Sequence, residues 1–269
     1  MRINTNINAM MATNQMTKNT ALSGNSMEKL STGLRITKAG DDAAGLAISE
    51  KMRSQIRGME QADRNVQDGI SMVQTAEGAL EEAGNIAQRM RELTVQGGNG
   101  TLTSTDTAKI TVELEQLGTE LGKIAEETKF NEKTLLDGKN ATVTVQAGAN
   151  DETRDITLMN LKTAVTAVAT LTVNNTADAQ ASQDKVDTLL KDISTNRATL
   201  GATQNRLEYT SSNLTTSTEN LTAAESRIRD VDVAKEMVKL SKLNILNQAS
   251  QAMVAQAKQQ PEQVTQLLR

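Results

Sequence analysis

From Val186 onward the sequence sets one branched aliphatic residue at every seventh position: Val186, Ile193, Leu200, Leu207, Leu214, Leu221 and Ile228. A strict seven-residue repeat is satisfied by a helix whose apolar stripe stays turned toward a neighbouring helix. Intermediate positions are small or polar at Thr203, Thr210, Ser217 and Ala224. The stripe is therefore too narrow for a globular core and suits one helix of a long bundle. At roughly 1.5 Å per residue this helix is about 60 Å or longer, so an elongated molecule is expected.

A second seam runs through Met59, Ala62, Val66, Gly69, Val73, Ala76, Leu80, Ala83, Ala87 and Met90, with steps alternating between three and four. Large residues alternate with Ala or Gly, which lets a partner helix approach closely. The seam stops at Gly97-Gly98-Asn99-Gly100, a strong helix stop. After the cap-forming Ser104-Thr105-Asp106, a third run reads Ile110, Leu114, Leu117, Leu121 and Ile124. Two helices joined by a Gly-rich turn predict an antiparallel helical hairpin. Residues 141–173 change character. ATVTVQAG and RDITLM are rich in β-branched residues and flank the turn-forming GANDET, which predicts a small β-hairpin. Pro261 is the single proline, so little interrupts a helix. With aromatics at 1%, apolar surface must come from Leu, Ile, Val, Met and Ala spread along long elements.

The two ends differ from the middle. Residues 1–34 offer Ile3, Ile7, Met10, Met11, Met16, Leu22, Met27, Leu30 and Leu34, diluted with Asn and Thr. The far end offers Met237, Leu240, Leu243, Leu246, Ala249 and Met253, then Leu267 and Leu268. Each reads as an amphipathic helix that is marginal alone in water. Burial of one Leu or Met contributes about 1.5–3 kcal/mol, so these ends are expected to find partners in each other or in other copies of the chain. The candidate assembly residues are Ile3, Ile7, Leu30, Leu34, Leu240, Leu246, Met253, Leu267 and Leu268. The expected division is a terminal helix and linker over 1–42, bundle helices and β-hairpin over 43–175, a further helix of that same domain over 176–230, and a second terminal helix over 231–269.

The absences limit the chemistry. Without His or Cys, the usual zinc sites, the Ser-His-Asp and Cys-His nucleophiles and disulfides are all excluded. Asp41-Asp42 could form a carboxylate pair, but no other ligand or partner acid sits at helical spacing nearby. A joint makes more sense of the segment. Gly40 is expected to adopt backbone angles other residues avoid, and Asp41 or Asp42 to accept hydrogen bonds from the N–H groups opening the helix AAGLAISEKM. Net charge is −4, from 29 basic and 33 acidic residues with no basic block, which disfavours nucleic acid as a partner. MRINTNINAMMATNQ lacks an apolar core, so no cleaved secretory signal is expected. No run of about 18 apolar residues suggests a membrane span. Neither an enzyme nor a cofactor is expected.

Residues 31–53, STGLRITKAGDDAAGLAISEKMR, closely resemble the N-terminal signature of bacterial flagellin. The likeness continues through QRMRELTVQGGNG (88–100), ETKFNEKTLLDG (127–138), GATQNRLEYTSSNL (201–214), AESRIRDVDVAKEMVKLSKLNIL (224–246) and the terminal QVTQLLR. It covers both ends and nearly all the helical chain. The short middle is similar to flagellins that lack the large, variable outer domains.

The resemblance implies a mainly α fold: an elongated, coiled-coil-like helical bundle with a small β-hairpin region, plus paired N- and C-terminal helices. It also implies a structural subunit that polymerises with copies of itself into the extracellular bacterial flagellar filament, with its ends paired in the inner tube. Export unfolded through the flagellar type III apparatus, a dedicated chaperone on the C-terminal segment, and hook-associated and cap proteins as further partners belong to the same implication. In receptor-stimulating flagellins, the segment matching Gln88–Gln96 and a glutamate matching Glu113 form the patch read by Toll-like receptor 5. This implies a receptor-binding set of Gln88, Arg89, Leu93, Gln96 and Glu113, with Arg89 beside an exposed aliphatic. A hook–filament junction protein of the flagellum is the alternative; it shares the terminal helices but is expected to match QRMRELTVQ and NRLEYTSSNL less well.

Overall fold

A computed structural model describes the backbone of residues 6–267 and the side chains of residues 6–259. In chain order the elements are α1 (Ile7–Thr32), α2 (Ala43–Gly97), α3 (Ser104–Glu127), β1 (Lys129–Phe130), β2 (Lys133–Thr134), β3 (Thr142–Gln146), β4 (Thr153–Thr157), α4 (Leu161–Val168), α5 (Thr176–Arg229) and α6 (Val233–Leu267). The chain forms two compact units: residues 55–219, and residues 1–54 with 220–269.

In the unit of residues 55–219, the seam positions Ala62, Val66, Val73, Ala76, Leu80, Ala83, Ala87 and Met90 of α2 are all buried. Ile110, Leu114 and Leu121 of α3 join them, as do Val186, Ile193, Leu200, Leu207 and Leu214 of α5, in one apolar cluster. The seven-residue repeat of α5 is thus a core stripe across this unit. Polar contacts at the edge of the stripe fix α5 antiparallel to α2. Ser211 Oγ donates to Asp63 Oδ1 at 2.5 Å, and Arg91 Nε meets Asp187 Oδ1 at 2.6 Å. Between these, the Arg197 guanidinium lies 3.7 Å from both Glu77 and Glu81.

The expected β-hairpin is present. β3 and β4 pair antiparallel from Thr142 opposite Thr157 to Gln146 opposite Thr153, and the inward Val145 and Ile156 are buried. The hairpin lies directly on α2 because Gly69 has no side chain; a Cβ there would stand 3.1 Å from Val145 Cγ2. Three elements were not expected. β1 and β2 pair through the two-residue turn Asn131-Glu132, both with positive φ (47° and 66°), the backbone of a type I′ turn. The helix α4 is capped by Asn160, whose Oδ1 accepts from Thr163 N at 3.0 Å, and buries Leu161, Val165 and Val168.

One cap differs from expectation. α3 is capped by Thr103 rather than by the Ser104–Asp106 group, and Ser104 is already helical. Thr103 Oγ1 accepts from Asp106 N while Asp106 Oδ2 accepts from Thr103 N, a complete capping box.

Candidate functional site

Three regions carry the residues singled out in the sequence. The first is the joint between α1 and α2. Asp42 caps α2, its Oδ1 accepting from Gly45 N at 2.9 Å. Asp41 does not share that task. Its Oδ2 accepts from Thr37 N and Thr37 Oγ1, both at 3.1 Å, and from Lys38 N at 3.3 Å, so it ties the linker itself. The backbone donors of Thr37 and Lys38, with nearby Lys29, hold the Asp41 carboxyl below the usual carboxylate range. The expectation for Gly40 requires correction: its φ lies outside the left-handed region, and the residue that adopts it is Gly33, at φ 72°. Gly33 terminates α1 by donating its N–H to Lys29 O at 2.9 Å. The linker then pairs with the end of α5. Leu34 bridges Asp230, Arg35 N donates to Arg229 O at 2.6 Å, and Val231 N donates to Gly33 O at 3.0 Å. Arg229 in turn meets Glu50 at 3.0 Å.

The second region is the antiparallel pair of α1 and α6. Its seam steps by three and four through Ala9, Ala12, Met16, Asn19, Ser23, Ser26 and Leu30 on α1. It answers through Glu236, Leu240, Leu243, Asn247, Ser250, Val254 and Ala257 on α6. Much of this seam is small or polar. Asn6 Nδ2 donates to Ala257 O at 2.7 Å, Ser23 Oγ to Asn244 Oδ1 at 3.3 Å, and Asn19 Nδ2 to Ser250 Oγ at 3.4 Å. The Ser26 hydroxyl, with Lys239 and Lys29, holds the Glu236 carboxyl below its usual range. Larger apolar side chains point elsewhere: Met10, Met11, Leu22 and Met27 of α1 and Met237, Val238 and Ile245 of α6 are exposed. Among the candidate assembly residues, Ile7, Leu246 and Met253 are exposed, whereas Leu30, Leu34 and Leu240 are half-buried. Ile3, Leu268 and the side chain of Leu267 lie outside the described residues. Sequence periodicity finds Met16, Leu30, Leu240 and Leu243 of this seam but misses its other positions, because Asn, Ser and Ala carry no apolar signal.

The third region is the flank of α2 facing α3. Arg89 Nη2 meets Glu113 Oε1 at 2.9 Å across the two helices, and Nη1 meets Glu92 Oε2 at 3.2 Å along α2. Gln88 and Gln96 are exposed, and Arg89 and Glu113 are half-exposed partners in a solvent-screened pair. Leu93 is not an exposed aliphatic: it is 2% exposed and belongs to the core cluster. The buried stripe broadens at the end of α2 to take in Met90, Leu93, Thr94 and Gly97, as on a helix covered by more than one neighbour. The exposed large aliphatics of α2 and α3 are instead Val95 and Val112, with Ile48 far off near the start of α2. Among the described residues no cluster of acidic side chains could hold a metal ion, and no helix is long and apolar enough to cross a membrane.

Comparison with known proteins matches two family descriptions to this chain. "Bacterial flagellin N-terminal helical region" covers residues 3–141, and "Bacterial flagellin C-terminal helical region" covers residues 183–268. A flagellin of Halalkalibacterium halodurans is 54% identical over 272 residues, and one of Bacillus subtilis is 50% identical over 304 residues; each alignment covers 100% of both chains. The crystal structure of Bacillus cereus flagellin superposes with a TM-score of 0.52 at 34% identity, covering 60% of this chain and 94% of that one. A putative flagellar hook-associated protein from Vibrio parahaemolyticus reaches a TM-score of 0.59 at 14% identity, covering 71% and 100% respectively, which indicates a shared fold.

Proposed function

Because the chain belongs to the bacterial flagellin family, whose members are structural subunits of the extracellular flagellar filament and not enzymes, we propose a division of labour within it. Residues 43–230 make the self-sufficient bundle with its β-hairpin. The terminal helices, over 1–42 and 231–269, supply the contacts of the filament's inner tube. The observation that carries this reading is the placement of exposed large apolar side chains: among the described residues, all but Val95, Val112 and Tyr209 lie in the unit built from the two chain ends. Such a surface is uncovered in one chain and needs neighbours.

The same reading accounts for the route outward. A helical chain without Cys and nearly without aromatics suits threading through the flagellar type III apparatus unfolded, with a chaperone held on the apolar α6 segment and folding completed outside. Hook-associated and cap proteins meet the same terminal helices at the filament's two ends. Toll-like receptor 5 reads the free monomer through Arg89, Glu113 and the exposed Gln88 and Gln96, a surface that neighbouring subunits cover in the filament.

The test is a fragment of about residues 45–230 compared with the full chain under seeding with filament fragments. The full chain should grow long helical fibres visible by negative-stain microscopy. The fragment should stay folded and helical by circular dichroism yet remain monomeric. Normal filaments from the fragment would end this assignment of the terminal helices.

A further inference from the structure

The turn joining α2 to α3 carries the single Asn-Gly pair of the sequence, Asn99-Gly100. Both residues are exposed and lie outside the helices. Their surroundings favour one reaction of the asparagine: attack on its carboxamide carbon by the backbone nitrogen of the next residue. Gly100 brings no Cβ to crowd that approach and leaves the backbone free to rotate into it. Among the described residues nothing accepts a hydrogen bond from Gly100 N, so the nucleophile is not tied. The electrophile is held in place, because Asn99 Oδ1 accepts from Thr101 N at 3.2 Å. That donor polarises the carboxamide and stabilises the oxyanion that develops as its carbon becomes tetrahedral.

We propose that Asn99 is a self-modifying site, converted in the folded chain to aspartate and isoaspartate without an enzyme. Gly100 N bonds to Asn99 Cγ, its proton passes to the carboxamide nitrogen, and ammonia leaves, giving a five-membered succinimide. Water then opens the ring. Cleavage of the new N–Cγ bond yields aspartate. Cleavage between Gly100 N and the Asn99 carbonyl carbon yields isoaspartate, with the main chain rerouted through Cβ. Either product adds a negative charge to the turn, and isoaspartate also adds a methylene to the backbone. The addition falls inside a turn closed by Asn99 N donating to Gln96 O at 3.1 Å and Leu102 N donating to Asn99 O at 3.2 Å. Conversion therefore loosens the link between α2 and α3, and the converted fraction records the age of a subunit.

Three other exposed asparagines outside the helices serve as references. Asn131, Asn150 and Asn174 precede Glu132, Asp151 and Asn175, whose side chains crowd the attacking nitrogen. The full-length protein is aged at mildly alkaline pH in water enriched in heavy oxygen, and its peptides are read by mass spectrometry. Asn99 should take up the label about tenfold or more faster than the three references. An isoaspartyl carboxyl methyltransferase, used as a reagent, should methylate the aged chain.

Gly100→Ala, whose added Cβ meets nothing within 4 Å, should keep the helical circular dichroism and slow conversion by about tenfold or more. A synthetic peptide of residues 95–104 supplies the rate without the fold. The folded chain should match or exceed it, because the Thr101 donor is preset only there. A folded-chain rate well below that of the peptide overturns the proposal. So do equal rates at Asn99 and the reference asparagines, or equal rates in Gly100→Ala and the parent.

Discussion

The unit of residues 55–219 and the unit of the chain ends use the same heptad grammar with opposite content. In the first, the seam holds Val66, Leu80, Met90, Leu114, Leu121 and Leu200, all buried, and the outward faces are polar. In the second, the seam mixes Met16, Leu30, Leu240 and Leu243 with Ala12, Asn19, Ser23, Ser26 and Ser250, and Met10, Met27, Val238 and Ile245 face outward. The α5 stripe shows the change within one helix: Leu200 and Leu207 are buried, whereas Leu221 and Ile228 are half-buried. Burial inside the chain stabilises a fold that stands alone; apolar surface left outside stabilises an assembly.

The largest effect expected from this contrast comes from truncating one leucine in each unit. Leu80→Ala removes a fully buried side chain and should destabilise the monomer by about 2–5 kcal/mol in denaturant titration. Leu246→Ala removes an exposed one and should change monomer stability by less than about 0.5 kcal/mol. If the proposed assembly role of the terminal helices holds, that leucine becomes covered in the filament, and its loss of about 1.5–3 kcal/mol should raise the critical concentration for elongation roughly tenfold or more. If Leu246→Ala destabilised the monomer as Leu80→Ala does, the two units would not differ in the way described.

The next effect separates recognition from folding on α2. Arg89→Ala should weaken binding to Toll-like receptor 5 by about 1–3 kcal/mol in a titration with monomer, with circular dichroism unchanged. Leu93→Ala should instead lower the unfolding free energy by about 2–5 kcal/mol, because Leu93 is a core residue. Equal receptor affinity for Arg89→Ala and the parent would remove Arg89 from the receptor surface.

What the sequence made legible follows from where apolar periodicity speaks. The seams of α2, α3 and α5 were readable because large aliphatics recur on one stripe, and β3–β4 because β-branched runs flank a turn. The α1–α6 seam was legible only at Met16, Leu30, Leu240 and Leu243, since most of its other residues are small or polar and the remaining visible apolar positions point away from it. Leu93 was misplaced because periodicity locates a stripe but not how many neighbours cover it. β1 and β2 are two-residue strands whose turn, Asn131-Glu132, lacks the Gly of an ordinary hairpin signal. At the joint, Gly33 and Gly40 look alike as letters, and only the backbone path distinguishes them.

That distinction gives a smaller effect. Gly33→Ala forces an L side chain into the left-handed region and should destabilise the end of α1 by about 1–2 kcal/mol. Gly40→Ala, where an added Cβ meets nothing within 4 Å, should be neutral or stabilise by about 0.4–1 kcal/mol through the unfolded chain. The measurement is the thermal melting of filaments grown from each variant. The reverse ranking would mean that the linker takes another path once the subunit is assembled.

The smallest effect expected is a pH dependence of the same joint. Asp41 accepts hydrogen bonds from Thr37 and Lys38, and these hold its carboxyl below the ordinary carboxylate range. A carboxyl depressed in the folded state stabilises that state while it is ionised. The contribution is fully present above the ordinary carboxylate range and is lost as pH falls through the depressed value. Asp41→Asn resembles the protonated side chain, so it lacks the contribution at every pH. Filaments of parent and variant, melted side by side across an acid titration, should therefore differ at neutral pH and converge at low pH. The other depressed carboxyls, Asp106, Glu126, Asp137, Asp232 and Glu236, are common to both proteins and cancel in the difference. Because Asp41 sits at an exposed site beside Lys29 and Lys38, salt screening should shrink the gap. A gap that persisted unchanged at low pH would show that Asp41 acts by shape and not by charge.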